Sequence, residues 1–219
     1  SMEADENRMA GSLQKQGSTQ GPERLYPVVL RVPDHLWRLR GRPQVAILSR
    51  LARVAVRLSA RLTGVAPPAC VKNDIGAPQP QNGTHWSVTH KPRIVAGVVA
   101  GVPVGIDIET VRSPTEALYR RIATGAEWRL GHEDPPPPPR FFYRVWTAKE
   151  AVLKAEGVGL RGLSRCRVTA IPDQATMQLA FDRRTWTVVH HFLDTHVLAL
   201  TCSGTPVEWR CDPGVFPGA

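Results

Sequence analysis

Two short stretches of this 219-residue chain hold the residue types that phosphate chemistry needs. The first is Gly105-Ile106-Asp107-Ile108-Glu109. It alternates with period 2, so Asp107 and Glu109 share one face of a strand and the two isoleucines share the other. Neighbouring carboxylates repel each other unless a cation or a proton lies between them. The second stretch, residues 146–160, reads W-T-A-K-E-A-V-L-K-A-E-G-V-G-L. Its pattern predicts a helix, with Thr147 as N-cap, Glu150 at the capping-box spacing and Gly157 as the stop. Glu150 and Lys154 are four residues apart and share a face of that helix. Alone, such a pair is more often a surface ion pair than a site. Taken with the strand, it gives three carboxylates and a lysine, a set that suits a divalent cation and a phosphate.

The elements that must position these residues follow from the rest of the chain. Residues 1–22 are polar and without periodicity, and are expected to be a disordered tail. Residues 25–32 read as a strand whose Pro27 belongs at an edge or at its start. Residues 43–62 carry a helical apolar stripe with Arg50, Arg53, Arg57 and Arg61 beside it. With Arg38, Arg40 and Arg42, this is the densest basic region, either a solvated face or a phosphate-binding edge. A Pro- and Asn-rich loop (66–83) precedes three strands, 84–89, 94–100 and 104–109. The turn after the first of these holds His90, Lys91 and Arg93, and several basic groups on one turn favour anion binding.

Ser113-Pro114-Thr115-Glu116 predicts a helix capped by Ser113. Residues 125–140, with five consecutive prolines from Pro135 to Pro139, read as a stiff and poorly structured connection. After the 146–160 helix come four strands, 165–170, 176–181, 185–192 and 196–202. Residues 204–219 read as loose. Strands and helices do not alternate strictly, which disfavours a doubly wound parallel sheet. The expected fold is α+β. It has two pseudo-symmetric halves, each a small, mostly antiparallel sheet with a packed helix, and the active site lies at the seam. The expected divisions are a tail (1–22), an N-terminal half (23–108), a C-terminal half (109–203) and a loose tail (204–219).

The net charge of +9 points to an anionic partner. No apolar run approaches the roughly 20 residues that span a bilayer, and the first twenty residues lack the apolar core of a secretory leader. Cys70, Cys166, Cys202 and Cys211 form no C-x-x-C, so reduced thiols in a cytoplasmic protein are expected. His190, His191 and His196 lack metal-ligand spacing and are read as structural or surface groups.

Gly-Ile-Asp-Ile-Glu, followed about forty residues later by W-T-A-K-E-A-V-L-K-A-E-G-V-G-L, resembles the 4′-phosphopantetheinyl transferases of the Sfp type. The resemblance covers roughly residues 25–203. Thr89-His90-Lys91 aligns with a Ser-His-Ser feature of that family, and Gly76-Ala77-Pro78 with a Gly-Lys-Pro whose lysine is Ala77 here. The resemblance implies transfer of the phosphopantetheine arm of coenzyme A to a serine of an acyl, peptidyl or aryl carrier protein, with release of 3′,5′-ADP.

It further implies Mg²⁺, with Mn²⁺ as the alternative, held by Asp107, Glu109 and Glu150. Glu150 would take the proton of the carrier serine, or Glu109 would do so through a metal-bound water. Lys154 would stabilise the departing phosphate, and Lys149 either joins it or faces solvent. His90, with Thr89 and Lys91, would bind a coenzyme A phosphate. Trp146 would pack at the helix start. A monomer acting on an acidic carrier, docked through residues 112–140, completes the expectation. The rival class is a metal-dependent nuclease or nucleic-acid-binding protein, which also combines basic charge with a carboxylate cluster. The Gly-x-Gly-Leu at the helix end counts against that class, so no nucleic acid partner is expected, nor a membrane.

Overall fold

A computed structural model describes residues 24–37, 39–131 and 136–212. The expected N-terminal tail, Arg38, Pro135 and residues 213–219 lie outside the described residues. The elements are β1 (Val28–Arg31), α1 (Asp34–Trp37), α2 (Gly41–Thr63), β2 (His85–Lys91), β3 (Ile94–Ala100) and β4 (Ile106–Thr110). There follow α3 (Glu116–Ile122), α4 (Gly125–Arg129), α5 (Pro139–Glu156), a 3₁₀ segment (Gly159–Arg165), β5 (Cys166–Ala170), β6 (Thr176–Phe181), β7 (Arg184–Phe192), β8 (His196–Thr201) and β9 (Arg210–Asp212).

Two sheets result, in the orders β2-β3-β1-β9 and β4-β8-β7-β6-β5. This is the expected α+β plan of two helix-covered halves. All ladders are antiparallel except that of β1 with β9. Two placements differ from expectation. β4 was assigned to the N-terminal half but pairs with β8, so the second sheet begins there. The tail from 204 was expected to be loose, but Val207 bridges Leu25 and β9 adds a strand beside β1. A three-residue strand carries too short a pattern to be read, and its partner is almost the whole chain away.

Helix α2 buries Leu48, Ala52, Ala55, Val56 and Ala60. These face β1 and β3, where Gly97 admits the helix: a Cβ there would meet Val56 N at 2.7 Å. All seven residues of β3 are buried, as its unbroken apolar run predicts.

Helix α5 starts eight residues before the expected Thr147, with Pro138 as N-cap and Pro139 in its first turn. Proline suits that position because the first helical N–H groups have no partner to lose. Thr147 therefore lies inside the helix, fully buried, and its hydroxyl donates to Tyr143 O at 2.8 Å. The preceding aromatic run is the reason for the longer helix. Phe142 is buried between Tyr119, Trp128, Tyr143 and Trp146, with ring centroids 4.8–5.8 Å away. Trp146 thus packs along the helix body and not at its start. The expected Ser113 cap also shifts: Thr115 caps α3, accepting from Leu118 N at 3.3 Å. Residues 125–129, expected to be irregular, form α4 behind a Thr124–Glu127 capping box.

The sheets meet along β2 and β4. Ile106 N donates to the buried Ser87 Oγ at 3.1 Å, and Gly105 N donates to Thr201 Oγ1 at 2.9 Å. At Gly105 the α5 backbone comes close enough that a side chain would strike Ala151 O.

Candidate active site

Along the seam, side chains two residues apart on β2 face side chains two residues apart on β4. Thr89 Oγ1 donates to Asp107 Oδ1 at 3.2 Å, and Lys91 Nζ lies 2.7 Å from Glu109 Oε1. Helix α5 crosses behind. Lys154 Nζ reaches over to Asp107 Oδ1 at 2.7 Å and also donates to the carbonyls of Ile106 at 3.0 Å and Val88 at 3.4 Å. One lysine thereby ties both edge strands to the helix.

These groups open onto a cavity of about 310 Å³. Thr89, His90, Lys91, Asp107, Glu109, Glu150 and Lys154 line it, so seven residues singled out in the sequence converge there. Ser49 and Arg53 of α2, Lys72 of the long loop, Trp86 and Val88 complete the wall. Sequence reasoning placed Arg53 only within a basic region and missed Ser49 and Lys72. Lys72 stands four residues before the Gly-Ala-Pro, and no local spacing shows that its loop folds over the pocket.

The electrostatics are those of crowded charge. Burial, and after it the Asp107 carboxylate, pushes Glu150 above the usual carboxylate range. Burial also raises Glu109, with the Lys91 ammonium opposing and Asp107 adding to the shift. On the cationic wall, burial and then Lys154 hold both Lys72 and His90 below their ordinary values. Carboxylates and cations thus crowd one cavity, with Lys91 set against Glu109 and Lys154 against Asp107.

Among the described residues, no three Asp, Glu, His or Cys side chains form a ready-made metal cage. Asp107, Glu109 and Glu150 share the cavity without forming a coordination shell. Their chemistry nonetheless suits a hard cation: all are oxygen donors, and Asp107 Oδ2 is buried without a hydrogen-bond partner.

Lys149 departs from expectation. It neither joins the phosphate wall nor faces solvent. It is 2% exposed, with Nζ 2.6 Å from Glu127 Oε1 and 2.8 Å from Ile122 O. Glu127 also accepts from Val168 N at 2.9 Å and Thr124 N at 2.8 Å, so the pair joins α5 to α4 and β5. Adjacent helix positions point about 100° apart, so Glu150 can face the cavity only if Lys149 does not. Lys149→Met is expected to cost about 3–5 kcal/mol, because it leaves the Glu127 charge buried and unpaired. Lys149→Met combined with Glu127→Gln, which removes the buried charge and keeps an acceptor oxygen for the neighbouring N–H groups, should recover part of that loss. Urea denaturation of the single and double variants measures the difference, and equal losses would refute the account.

His190 and His191 lie away from the cavity. The buried His190 ring contacts the carbonyls of Arg144 and Ala175, and His191 stacks on Trp209 at 5.2 Å.

Two helix-covered sheets thus meet at a seam of carboxylates and lysines. Comparison with known proteins adds what the chain resembles. Residues 103–201 match the family described as the 4′-phosphopantetheinyl transferase superfamily. Over 125 residues the chain is 30% identical to the 4′-phosphopantetheinyl transferase psf-1 of Bacillus pumilus, covering 56% of this chain and 54% of that relative. It is 31% identical over 77 residues to the 4′-phosphopantetheinyl transferase Sfp of Bacillus subtilis (strain 168), covering 35% and 34%. It is 32% identical over 105 residues to the 4′-phosphopantetheinyl transferase HetI of Nostoc sp., covering 46% and 44%. The chain thus spans about half or less of the length of the curated relatives it matches.

Proposed function

We propose that this chain transfers the 4′-phosphopantetheine group of coenzyme A to a serine hydroxyl of an acyl, peptidyl or aryl carrier protein. The observation that supports this best is the convergence of Asp107, Glu109, Glu150 and Lys154 with Arg53, Lys72 and His90 around one cavity. Carboxylates and cations lining the same cavity suit a polyanionic substrate bound with a divalent cation.

In this reading Arg53, Lys72, His90 and Lys154 receive the phosphates of coenzyme A. Glu150, or Glu109, takes the proton from the serine hydroxyl. The serine Oγ–P bond forms as the P–O bond to the nucleotide breaks, and 3′,5′-ADP leaves with its charge facing Lys154. Lys91 and Thr89 hold Glu109 and Asp107 in place. Asp107, Glu109 and Glu150 would hold Mg²⁺, with Mn²⁺ as the alternative, and a cation bound there neutralises pyrophosphate charge. Catalysis of this kind rests on positioning and charge neutralisation, which is what two rigid strand edges and a helix supply.

Residues 112–140 form the proposed carrier contact, where Pro114, Tyr119, Trp128 and Pro137 border a groove of about 570 Å³. Because one chain contributes every wall of the cavity, we read the enzyme as a monomer. The buried free thiols Cys70, Cys166 and Cys202 suit the cytoplasm. None of the described helices is long and apolar enough to cross a membrane.

The test is mass spectrometry of an apo-carrier protein after incubation with this protein, coenzyme A and Mg²⁺. The expected result is a mass gain of one phosphopantetheinyl group. An unchanged carrier, with no rise in melting temperature on adding coenzyme A and Mg²⁺, would defeat the reading.

A further inference from the structure

Two lysines touch the cavity carboxylates, and they are held very differently. An ammonium group has three donors. Lys154 Nζ directs them at Asp107 Oδ1 (2.7 Å), Ile106 O (3.0 Å) and Val88 O (3.4 Å), so it is fixed to both edge strands. Lys91 Nζ bonds to Glu109 Oε1 alone among the described residues, at 2.7 Å. Its side chain is also 26% exposed. A long, partly exposed lysine gains little from a single ion pair, because ordering the chain offsets the attraction. Lys154 is therefore an anchor, whereas Lys91 can leave.

What Lys91 holds is a group the cation would need. Glu109 shares a face of β4 with Asp107, whose Oδ2 is buried without a hydrogen-bond partner. Burial and the Asp107 charge both work against ionised Glu109, and the Lys91 ammonium works for it. Lys91 thus supplies, from within the chain, the positive charge that a carboxylate cluster otherwise takes from outside. In the sequence Lys91 falls at the second serine of the Ser-His-Ser feature, so the resemblance gives no role to an ammonium at this position.

We propose that Lys91 is a displaceable internal counter-cation, which neutralises Glu109 until a divalent cation binds, lowers the affinity of the seam for that cation, and then yields Glu109 to it. The inference rests on the reading of Asp107, Glu109 and Glu150 as the carboxylates that hold the cation. Lys154 does not share this part. It is tied to two backbone carbonyls as well as to Asp107 Oδ1, and Asp107 still offers Oδ2. A Lys91 released from Glu109 remains on the wall of the same cavity as His90, Arg53 and Lys72. Its charge then adds to the side that receives phosphate.

The test is Mn²⁺ binding to the full chain at about pH 8, above the carboxylate range, with neither coenzyme A nor carrier present. Binding is followed by loss of the paramagnetic resonance signal of the unbound ion. Lys91→Met removes the charge and keeps the stem; Lys91→Gln removes it and keeps a polar head, should the first variant fold poorly. Either should tighten Mn²⁺ about tenfold or more, the lower end of what one neighbouring charge does to a carboxylate's affinity for a proton. Lys91→Arg, which keeps the charge, should bring no tightening. Glu109→Gln should weaken Mn²⁺ binding about fivefold less in the wild-type background than in the Lys91→Met background, because only in the former is the lost carboxylate already occupied. Tightening by less than about threefold in both neutral variants overturns the inference. Weaker binding in both does so as well, and would make the pair a brace for the site. Equal effects of Glu109→Gln in the two backgrounds would also overturn it. If no variant binds Mn²⁺, the cation set fails together with the inference. A carrier left unmodified in the transfer assay defeats the proposed reaction only, since no substrate enters this measurement.

Discussion

Asp107→Asn should lower the proposed transfer of the phosphopantetheine group about 1,000-fold or more, a loss of several kcal/mol of transition-state stabilisation. The change conserves shape. Thr89 still finds an acceptor oxygen, and Lys154 keeps the carbonyls of Ile106 and Val88. What is lost is the negative charge in contact with Lys154, together with the orphaned Oδ2 available to a cation. The variant should therefore melt within a few degrees of the wild-type protein, but the rise in melting temperature on adding coenzyme A and Mg²⁺ should disappear. Single-turnover transfer to an apo-carrier and thermal shift with and without Mg²⁺ decide it. Activity within tenfold of wild type would remove Asp107 from the site.

The second large effect lies in the fold. Gly105→Ala places a Cβ 1.8 Å from Ala151 O and 2.8 Å from Ala155 N. Both are backbone atoms of α5, so no side chain can rotate away. Either the helix must lift off β4 or the strand must shift from β8, where Gly105 N and O bond to the side chain and backbone of Thr201. Overpacking of this kind belongs with the most destabilising substitutions, above about 4 kcal/mol. That corresponds to a fall in melting temperature on the order of 10 °C. Because Glu150 and Lys154 ride on that helix, residual folded protein should be inactive as well. A melting temperature within about 2 °C of wild type would show that α5 does not depend on this close approach.

Gly105 illustrates how far sequence reading reaches. The glycine is visible in the motif, but its reason is a helix backbone more than forty residues away. The same division runs through the site. Period-2 alternation put Asp107 and Glu109 on one face, and four-residue spacing put Glu150 and Lys154 on one face; these are facts of local geometry. Lys149, next to Glu150, defeated that kind of reading because spacing says only that it points elsewhere. Its burial against Glu127 depends on α4, which forms in a stretch that seemed irregular. Lys91 was read for phosphate and pairs with Glu109, since only the meeting of β2 with β4 brings the two within 2.7 Å.

Helix ends show the same limit. Thr147 fits an N-cap in isolation, but the aromatic run before it buries so well against Tyr119 and Trp128 that the helix continues back to the prolines. Tertiary burial outweighs a local capping preference of about 1 kcal/mol.

The sequence by itself determined the chemistry available here: three carboxylates and a lysine at spacings that face one way, a basic chain, and two α+β halves. Periodicity carries that much because strands and helices repeat every two and every 3.6 residues wherever they lie. Only the tertiary structure decided which other groups share a cavity with those carboxylates. Arg53, Lys72 and Ser49 come from a helix and a loop whose arrival at the seam depends on α2 settling over Gly97 and on β2 meeting β4. Local spacing specifies which face a residue presents; what that face meets is decided by long-range packing.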